Sequence, residues 1–347
     1  MNILIDIGHP AHVHLFRNAA HIWQEHGHQI LFTIRNRPLV PELLTVNNFR
    51  FVVASTPRTG GIGRAWELGE HDWNVLKEAI RFKADIMLGT SVSITHASKI
   101  TRIPSIVFSE DDADYLNFFA KLAYPFANTI VIPENLRDKR TPKYVTYNSY
   151  HELAYLHPNH FSPDPKIFDE LGIKPDERYF IVRLVSMKAH HDKGHKGISG
   201  TTRDNLISLL SKNGKVFITA EGQMPEAIKI YQLPTSPDRI HHVLYYAKML
   251  VSDSQTMTME AAVLGTPAIR YNTFVGLCSV IEELEHRYGL TYGFLPKDEE
   301  KMFAKVKELM DNPNLKEEWT ERRSRMLADK IDLSAWMVDF VENYSLA

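Results

Sequence analysis

VSDSQTMTMEAAVLGTPAIRY, residues 251–271, reads as a strand, a small polar turn, a helix and a second strand. The apolar run Met249–Ser252 ends at Asp253, and apolar side chains then recur at helical spacing to Leu264. Gly265, Thr266 and Pro267 stop the helix, and Ala268–Tyr271 starts the next strand. Ser254, Gln255, Thr256 and Met257 form the first helical turn. Backbone N–H groups there lack intrahelical partners and carry partial positive charge, so an anion, typically a phosphate, is stabilised. The hydroxyls of Ser254 and Thr256 could add donors, and Glu260, one turn on, could accept from vicinal ribose hydroxyls. The same residues also suit a well-capped helix of an α/β protein, with Ser254 as the cap.

Outward from this segment the strand–helix alternation repeats. Tyr179–Leu184 and Val216–Thr219 precede it as strands, with helices near 201–211, 240–247, 256–264 and 276–288 and charged amphipathic helices at 298–311, 314–327 and 332–344. The first half has the same rhythm. Strands are expected at Asn2–Ile7, Gln29–Ile34, Phe51–Ala54, Ile86–Leu88, Ser105–Phe108 and Thr129–Ile132, with helices at 12–26, 72–83, 91–101 and 113–123. Tyr147–Pro165, with Pro158, Pro163 and Pro165, reads as a connector. The expected architecture is therefore α/β: a doubly wound parallel-sheet domain over 1–160, a second over 161–330, and a final helix in 331–347 packing back on the first. Ligands of such sheets bind outside the carboxyl ends of the strands, and the cleft between the domains is the expected site.

The composition limits the function classes. The chain has 347 residues, which suits two domains at about 150 residues each. Forty Lys plus Arg against 42 Asp plus Glu give a net charge of −2, which argues against nucleic acid as the partner. No apolar run reaches the roughly 18 residues of a membrane span, and the N-terminus lacks the pattern of a signal peptide. The single cysteine, Cys278, excludes an intramolecular disulfide and points to a cytoplasmic protein. The 17 histidines are bunched, with six in residues 9–28 and three in 190–195.

Asp-Ser, two further residues, a helix with Glu260, then Leu-Gly-Thr-Pro resembles the nucleotide-diphosphate motif of GT-B glycosyltransferases and of the non-hydrolysing UDP-N-acetylglucosamine 2-epimerases. The resemblance implies that Ser254, Gln255, Thr256 and Glu260 hold the diphosphate and ribose. Gln255 and Thr256 stand where the epimerases carry two glycines. The wider chain resembles domain of unknown function 354, through IDIGHPAHVHLF (3–16), YHELAYLHP (150–158), VSMKAHHDKG (185–194) and EAAVLGTPAIR. That resemblance implies a GT-B-like fold of two facing Rossmann-type domains.

Other candidates lie at strand ends. Gly8, His9, His12 and His14 follow the first strand; the glycine permits a tight turn, and a histidine such as His12 could be a general base or steady a sugar or phosphate. A metal site is disfavoured because no spaced acidic ligands accompany these histidines. Arg183, Ser186, Lys188, His190 and His191 follow the first strand of the second domain and could neutralise a diphosphate, while Lys193 and His195 suit a solvated loop. Arg183 interrupts an apolar strand and requires a buried partner or a ligand. Glu110, Asp111 and Asp112 could supply a catalytic base or cap the helix that follows. His241 stands where related folds read the base, Glu221 and Gly222 could border the donor, and the glycine-rich 57–66 suits a mobile acceptor-side loop.

The expected function is metal-independent glycosyl transfer from a nucleotide sugar, with a UDP-sugar as co-substrate and no resident cofactor. The acceptor would be a glycan or a lipid-linked molecule. A lipid-linked one would need an apolar or basic face on the first domain, for which Trp66, Phe118, Phe119 and Tyr124 are candidates beside a core role. The alternatives are a nucleotide-sugar epimerase or hydrolase using the same cleft, and a non-catalytic partner in polysaccharide synthesis.

Overall fold

The computed structural model describes residues 1–114, 117–185 and 197–345. They form two compact units, residues 1–160 with 330–347, and residues 161–329.

In the first unit the chain runs β1 (Asn2–Ile7), α1 (Pro10–Glu25), β2 (Gln29–Arg35), α2 (Val40–Val46), β3 (Phe51–Ser55), α3 (Gly61–Phe82), β4 (Ile86–Gly89), α4 (Ser93–Thr101), β5 (Ser105–Phe108), α5 (Asn117–Ala123), β6 (Thr129–Pro133), β7 (Tyr144–Tyr147) and α6 (Leu153–Leu156). The seven strands pair in parallel in the order β3-β2-β1-β4-β5-β6-β7. Helices therefore cover both faces, and central strands such as β1 carry near-continuous apolar runs: Ile3, Leu4, Ile5 and Ile7 have no exposed surface. The direction of strand addition reverses between β1 and β4. A side chain at Gly89 would collide with the Asp6 carbonyl, so only glycine lets these two strands close up at that level.

One buried polar cluster is centred on β1. Asp6, fully buried on β1, accepts from the Thr33 hydroxyl at 2.7 Å and lies 3.0 Å from His71 Nε2 of α3; His71 Nδ1 lies 2.7 Å from the Ser55 hydroxyl. Burial alone would lower the His71 pKa, but the Asp6 carboxylate outweighs it and the net shift is upward. The pair ties α3 to the ends of β1 and β3.

In the second unit the order is α7 (Ile167–Leu171), β8 (Tyr179–Leu184), α8 (Gly200–Ser211), β9 (Lys215–Ala220), α9 (Ile240–Tyr246), β10 (Met249–Ser252), α10 (Gln255–Leu264), β11 (Ala268–Tyr271), α11 (Ser279–His286), β12 (Thr291–Phe294), α12 (Glu299–Asp311) and α13 (Leu315–Asp329). Its parallel sheet has the order β12-β11-β10-β8-β9, with the reversal between β8 and β10. Gly265 ends α10 in the left-handed region, φ 79°, a conformation that strains any other residue. The last helix, α14 (Leu333–Glu342), belongs to the first unit: the Ser334 hydroxyl donates to the Ala154 carbonyl at 2.7 Å, and Tyr344 and Thr129 hydroxyls lie 2.9 Å apart.

The expected strands are all present, and five elements are added, among them the short helices α2 and α7. β7 and α6 fall partly within the segment read as a connector, and β12 was not foreseen. β7 and β12 are edge strands with mostly half-buried residues, so they lack the apolar run that marks the interior strands. The glycine-rich 57–66 is also corrected. Gly60 is the N-cap of α3 at φ 77°, and residues 61–66 are the first turns of a 22-residue helix rather than part of a mobile loop.

Candidate functional site

The reversal between β8 and β10 places the carboxyl ends of these strands side by side, where open α/β sheets bind ligands. Ser254 caps α10: its Oγ accepts from the Met257 N–H at 3.3 Å, and its own N–H donates to Ser252 Oγ at 2.8 Å. Thr258 N–H returns to the Ser254 carbonyl at 3.3 Å. The N–H groups of Gln255 and Thr256 are thus the donors of the first turn left for a ligand among the described residues, and both residues are half-buried.

A guanidinium supports this turn. Arg270, on β11 and with no exposed surface, donates from Nη1 to Gln255 Oε1 at 3.3 Å and from Nη2 to Glu282 Oε1 at 2.8 Å. Its Nε is buried without a hydrogen-bond partner among the described residues. Glu282 Oε1 also accepts from the Gly276 N–H at 3.0 Å.

Asp253 locks the β8 and β10 ends together. Its carboxylate accepts from the N–H of Val185 at 2.7 Å and of Ile198 at 3.1 Å, while its carbonyl accepts from Asn272 Nδ2 at 2.9 Å. Burial pushes its pKa up to about 7, against the pull of those N–H groups and of Arg183. Arg183, expected to need a buried partner or a ligand, instead pairs from Nη2 with the exposed Glu221 Oε1 at 3.0 Å and donates from Nη1 to Thr219 Oγ1 at 2.9 Å, while its Nε is buried with no hydrogen-bond partner among the described residues. Glu260 and His241 are both buried, with Glu260 Oε1 3.0 Å from His241 Nε2. A carboxylate expected at the ribose and an imidazole expected at the base are therefore coupled to each other. Ser186, Lys188, His190, His191, Lys193 and His195 lie outside the described residues.

In the first unit, polar groups gather beyond the ends of β1, β4 and β5. His9 caps α1, its Nδ1 accepting from the Ala11 N–H at 3.3 Å. His12 Nδ1 lies 2.6 Å from Thr90 Oγ1 and accepts from the Gly8 N–H at 3.5 Å. A backbone N–H only donates, so Nδ1 is the acceptor and the neutral ring carries its proton on Nε2. Burial, with His9, His151 and Arg37 nearby, holds the His12 pKa well below the usual histidine value. Gly8 is not in the left-handed region, and a Cβ there would meet only Arg35 Cβ at 3.9 Å, so the tight turn expected of it is not what the backbone requires.

Glu110, half-buried, has its Oε2 3.1 Å from His151 Nδ1, and neither Glu110 Oε2 nor His151 Nε2 makes a hydrogen bond among the described residues. Asp112 is buried and accepts from the Arg137 N–H at 2.9 Å, while Ala113 N–H donates to Asp138. Its carboxylate is thereby tied to the backbone that follows β6. Trp66 and Phe118 are exposed; Phe119 and Tyr124 are half-buried, their rings in contact at 5.9 Å.

A family model described as "Protein of unknown function (DUF354)" matches residues 1–345. The chain belongs to that family. Among curated proteins, an uncharacterized protein of Methanocaldococcus jannaschii is 23% identical to this DUF354 member over 296 residues, covering 78% of this chain and 81% of the relative. Solved structures share its fold at low identity. The UDP-GlcNAc 2-epimerase of Neisseria meningitidis bound to UDP-GlcNAc has a TM-score of 0.72 at 12% identity, covering 99% of this chain and 100% of that one. The S. aureus MnaA–UDP co-structure has 0.69 at 12%, covering 99% and 97%. The glycosyltransferase of kitacinnamycin has 0.67 at 14%, covering 98% of each. The DUF354 member thus has the two Rossmann-type units of GT-B glycosyltransferases and epimerases.

Four residues around the two sheet reversals were not singled out from sequence. His151 and Arg270 both lay within quoted motifs, and Arg270 carries the same signal as Arg183, a cation inside an apolar strand. Asp253 likewise lay within the quoted Asp-Ser motif, whereas Thr90 gave no signal, because a lone Thr at a strand end is common.

Proposed function

We propose that this protein binds a nucleoside-diphosphate sugar, with a UDP-sugar as the preferred donor, in its second unit and transfers the glycosyl group without a metal ion. The observation that carries this reading is the buried Arg270 guanidinium against the first residue of α10, whose leading N–H groups have no partner among the described residues. The helix terminus, the Thr256 hydroxyl and that cation would stabilise the charge that develops on the leaving diphosphate. Glu260, oriented by His241, would accept from the ribose hydroxyls.

In the transfer step the bond from the sugar C1 to the diphosphate oxygen breaks, and its electron pair leaves with the diphosphate. The acceptor oxygen bonds to C1, and its proton passes to a base. Within the first unit, Glu110 is a better candidate for such a base than His12, whose Nδ1 accepts from the Gly8 N–H, or Asp112, whose carboxylate serves the backbone. His12 would then donate a hydrogen bond.

A second reading is an epimerase or hydrolase acting on the donor alone. It is favoured by a carboxyl group, Glu110, and an imidazole, His12, at the carboxyl ends of strands of one sheet. Product analysis separates the two. Glycosyl transfer requires an acceptor to consume the UDP-sugar, whereas an epimer or a free sugar formed from donor alone identifies the second reading. Consumption in neither case, with UDP bound, leaves a binding protein.

A further inference from the structure

The outward face of α3 has an unusual composition. Exposed on it are Ile62, Trp66, Trp73 and Ile80, with the exposed cations Lys77 and Arg81 beside them. The four large apolar side chains are 91%, 67%, 67% and 60% exposed. At 3.6 residues per turn they fall within about 40° of one another, on a stripe roughly 27 Å long. Glu70 is the acid of α3 that lies toward that face, on the side of Lys77 and Arg81, and it is paired with Arg58.

Of the four acids of the helix, two are buried and the other two are paired with cationic or imidazole side chains. Glu67 is buried, paired with Arg35 and accepting from the Arg58 N–H at 2.7 Å; Glu70 pairs with Arg58 at 3.0 Å and Asp72 with His96 at 2.7 Å. Glu78 is buried, with Arg81 at 3.8 Å. Packing on the sheet accounts for the inner face, including His71 and Val75, and leaves the tryptophan stripe unexplained. α4, packed beside α3, adds exposed Lys99 and Ile100, with Arg102 just past its end. The exposed Asp85 nearby is engaged by the Asn2 N–H at 2.7 Å.

We propose that this face docks the protein on an anionic lipid bilayer. Indole rings favour the depth of the headgroups, cations beside them match negative lipid charge while their stems lie along the apolar surface, and a bilayer requires no shape-complementary partner. Docking is peripheral: no helix among the described residues is long and apolar enough to cross a membrane.

The test is sedimentation of the full chain with vesicles of phosphatidylcholine alone or mixed with phosphatidylglycerol. Binding is expected to the mixed vesicles only, to weaken with salt, and to fall at least about tenfold in Trp66→Ser/Trp73→Ser and in Lys77→Glu/Arg81→Glu. These positions are exposed, and circular dichroism reports whether each variant stays folded. Absence of binding to mixed vesicles, or equal binding by a folded variant, overturns the proposal. So does a wild-type dimer in gel filtration that fails to bind vesicles and that Trp66→Ser/Trp73→Ser converts to monomer, since the face would then join two copies of the chain.

Discussion

Arg270 Nη1 donates to Gln255 Oε1 at 3.3 Å, so a guanidinium with no exposed surface holds the first residue of the helix whose terminus is the candidate anion site. Its Nη2 is on Glu282, and this two-ended arrangement needs a planar fork that lysine lacks. Arg270→Lys is therefore expected to keep the charge but release Gln255, weakening UDP by about tenfold in calorimetry. Unchanged affinity in a folded variant would make Arg270 a purely structural residue.

In the proposed function Glu260 serves the nucleoside side of the site. Removing it should weaken UDP, whereas inorganic pyrophosphate, which has no ribose, should bind Glu260→Ala as well as wild type. The expected loss for UDP is about tenfold, the worth of a hydrogen bond to a charged group. Equal losses for both ligands would place Glu260 in support of the helix through His241 instead.

Asp253 gives the stability a sign that depends on pH. Its folded pKa is raised to about 7 from 3.8, so the native state keeps a proton that the unfolded chain has released. Its favourable contribution is full below about pH 4 and is lost as pH rises to about 7, a change on the order of a few kcal/mol. Asp253→Asn cannot ionise, and urea titrations across that window should show the loss in wild type alone. The same slope in both proteins would refute the assignment.

Two histidines should titrate in opposite directions. His71, beside Asp6, is raised, so its contribution to stability is present below about pH 6.5 and disappears as pH climbs through the folded value. His12 is lowered; the unfolded chain takes up its proton first, and stability falls as pH drops below about 6.5. NMR titration, with His12→Asn and His71→Asn to assign the signals, checks both. A His12 signal that titrates at or above the usual value would remove the neutral imidazole from the mechanism.

The sheet strands were legible because parallel strands covered on both faces concentrate apolar residues, as in Ile3–Ile7 and Met249–Ser252. β7 and β12 were not, since an edge strand needs no such run. The turn at Ser254–Thr256 stood out because caps and helix starts have local chemistry. The partners of that turn did not. The contacts of Arg270 with Gln255, of Asp253 with Val185 and of Glu110 with His151 each join residues on different elements, and a single sequence carries no local mark of such a pair. Arg183 shows the same limit from the other side: its need for a partner was readable, but the choice of Glu221 was set by how β8 lies against β9.

Calorimetric titration of the full chain with UDP tests the nucleotide reading most directly. One molecule is expected to bind per chain, with Arg270→Lys and Glu260→Ala both weaker. No UDP binding by the folded wild-type protein would contradict the assignment of the α10 terminus to a nucleoside diphosphate.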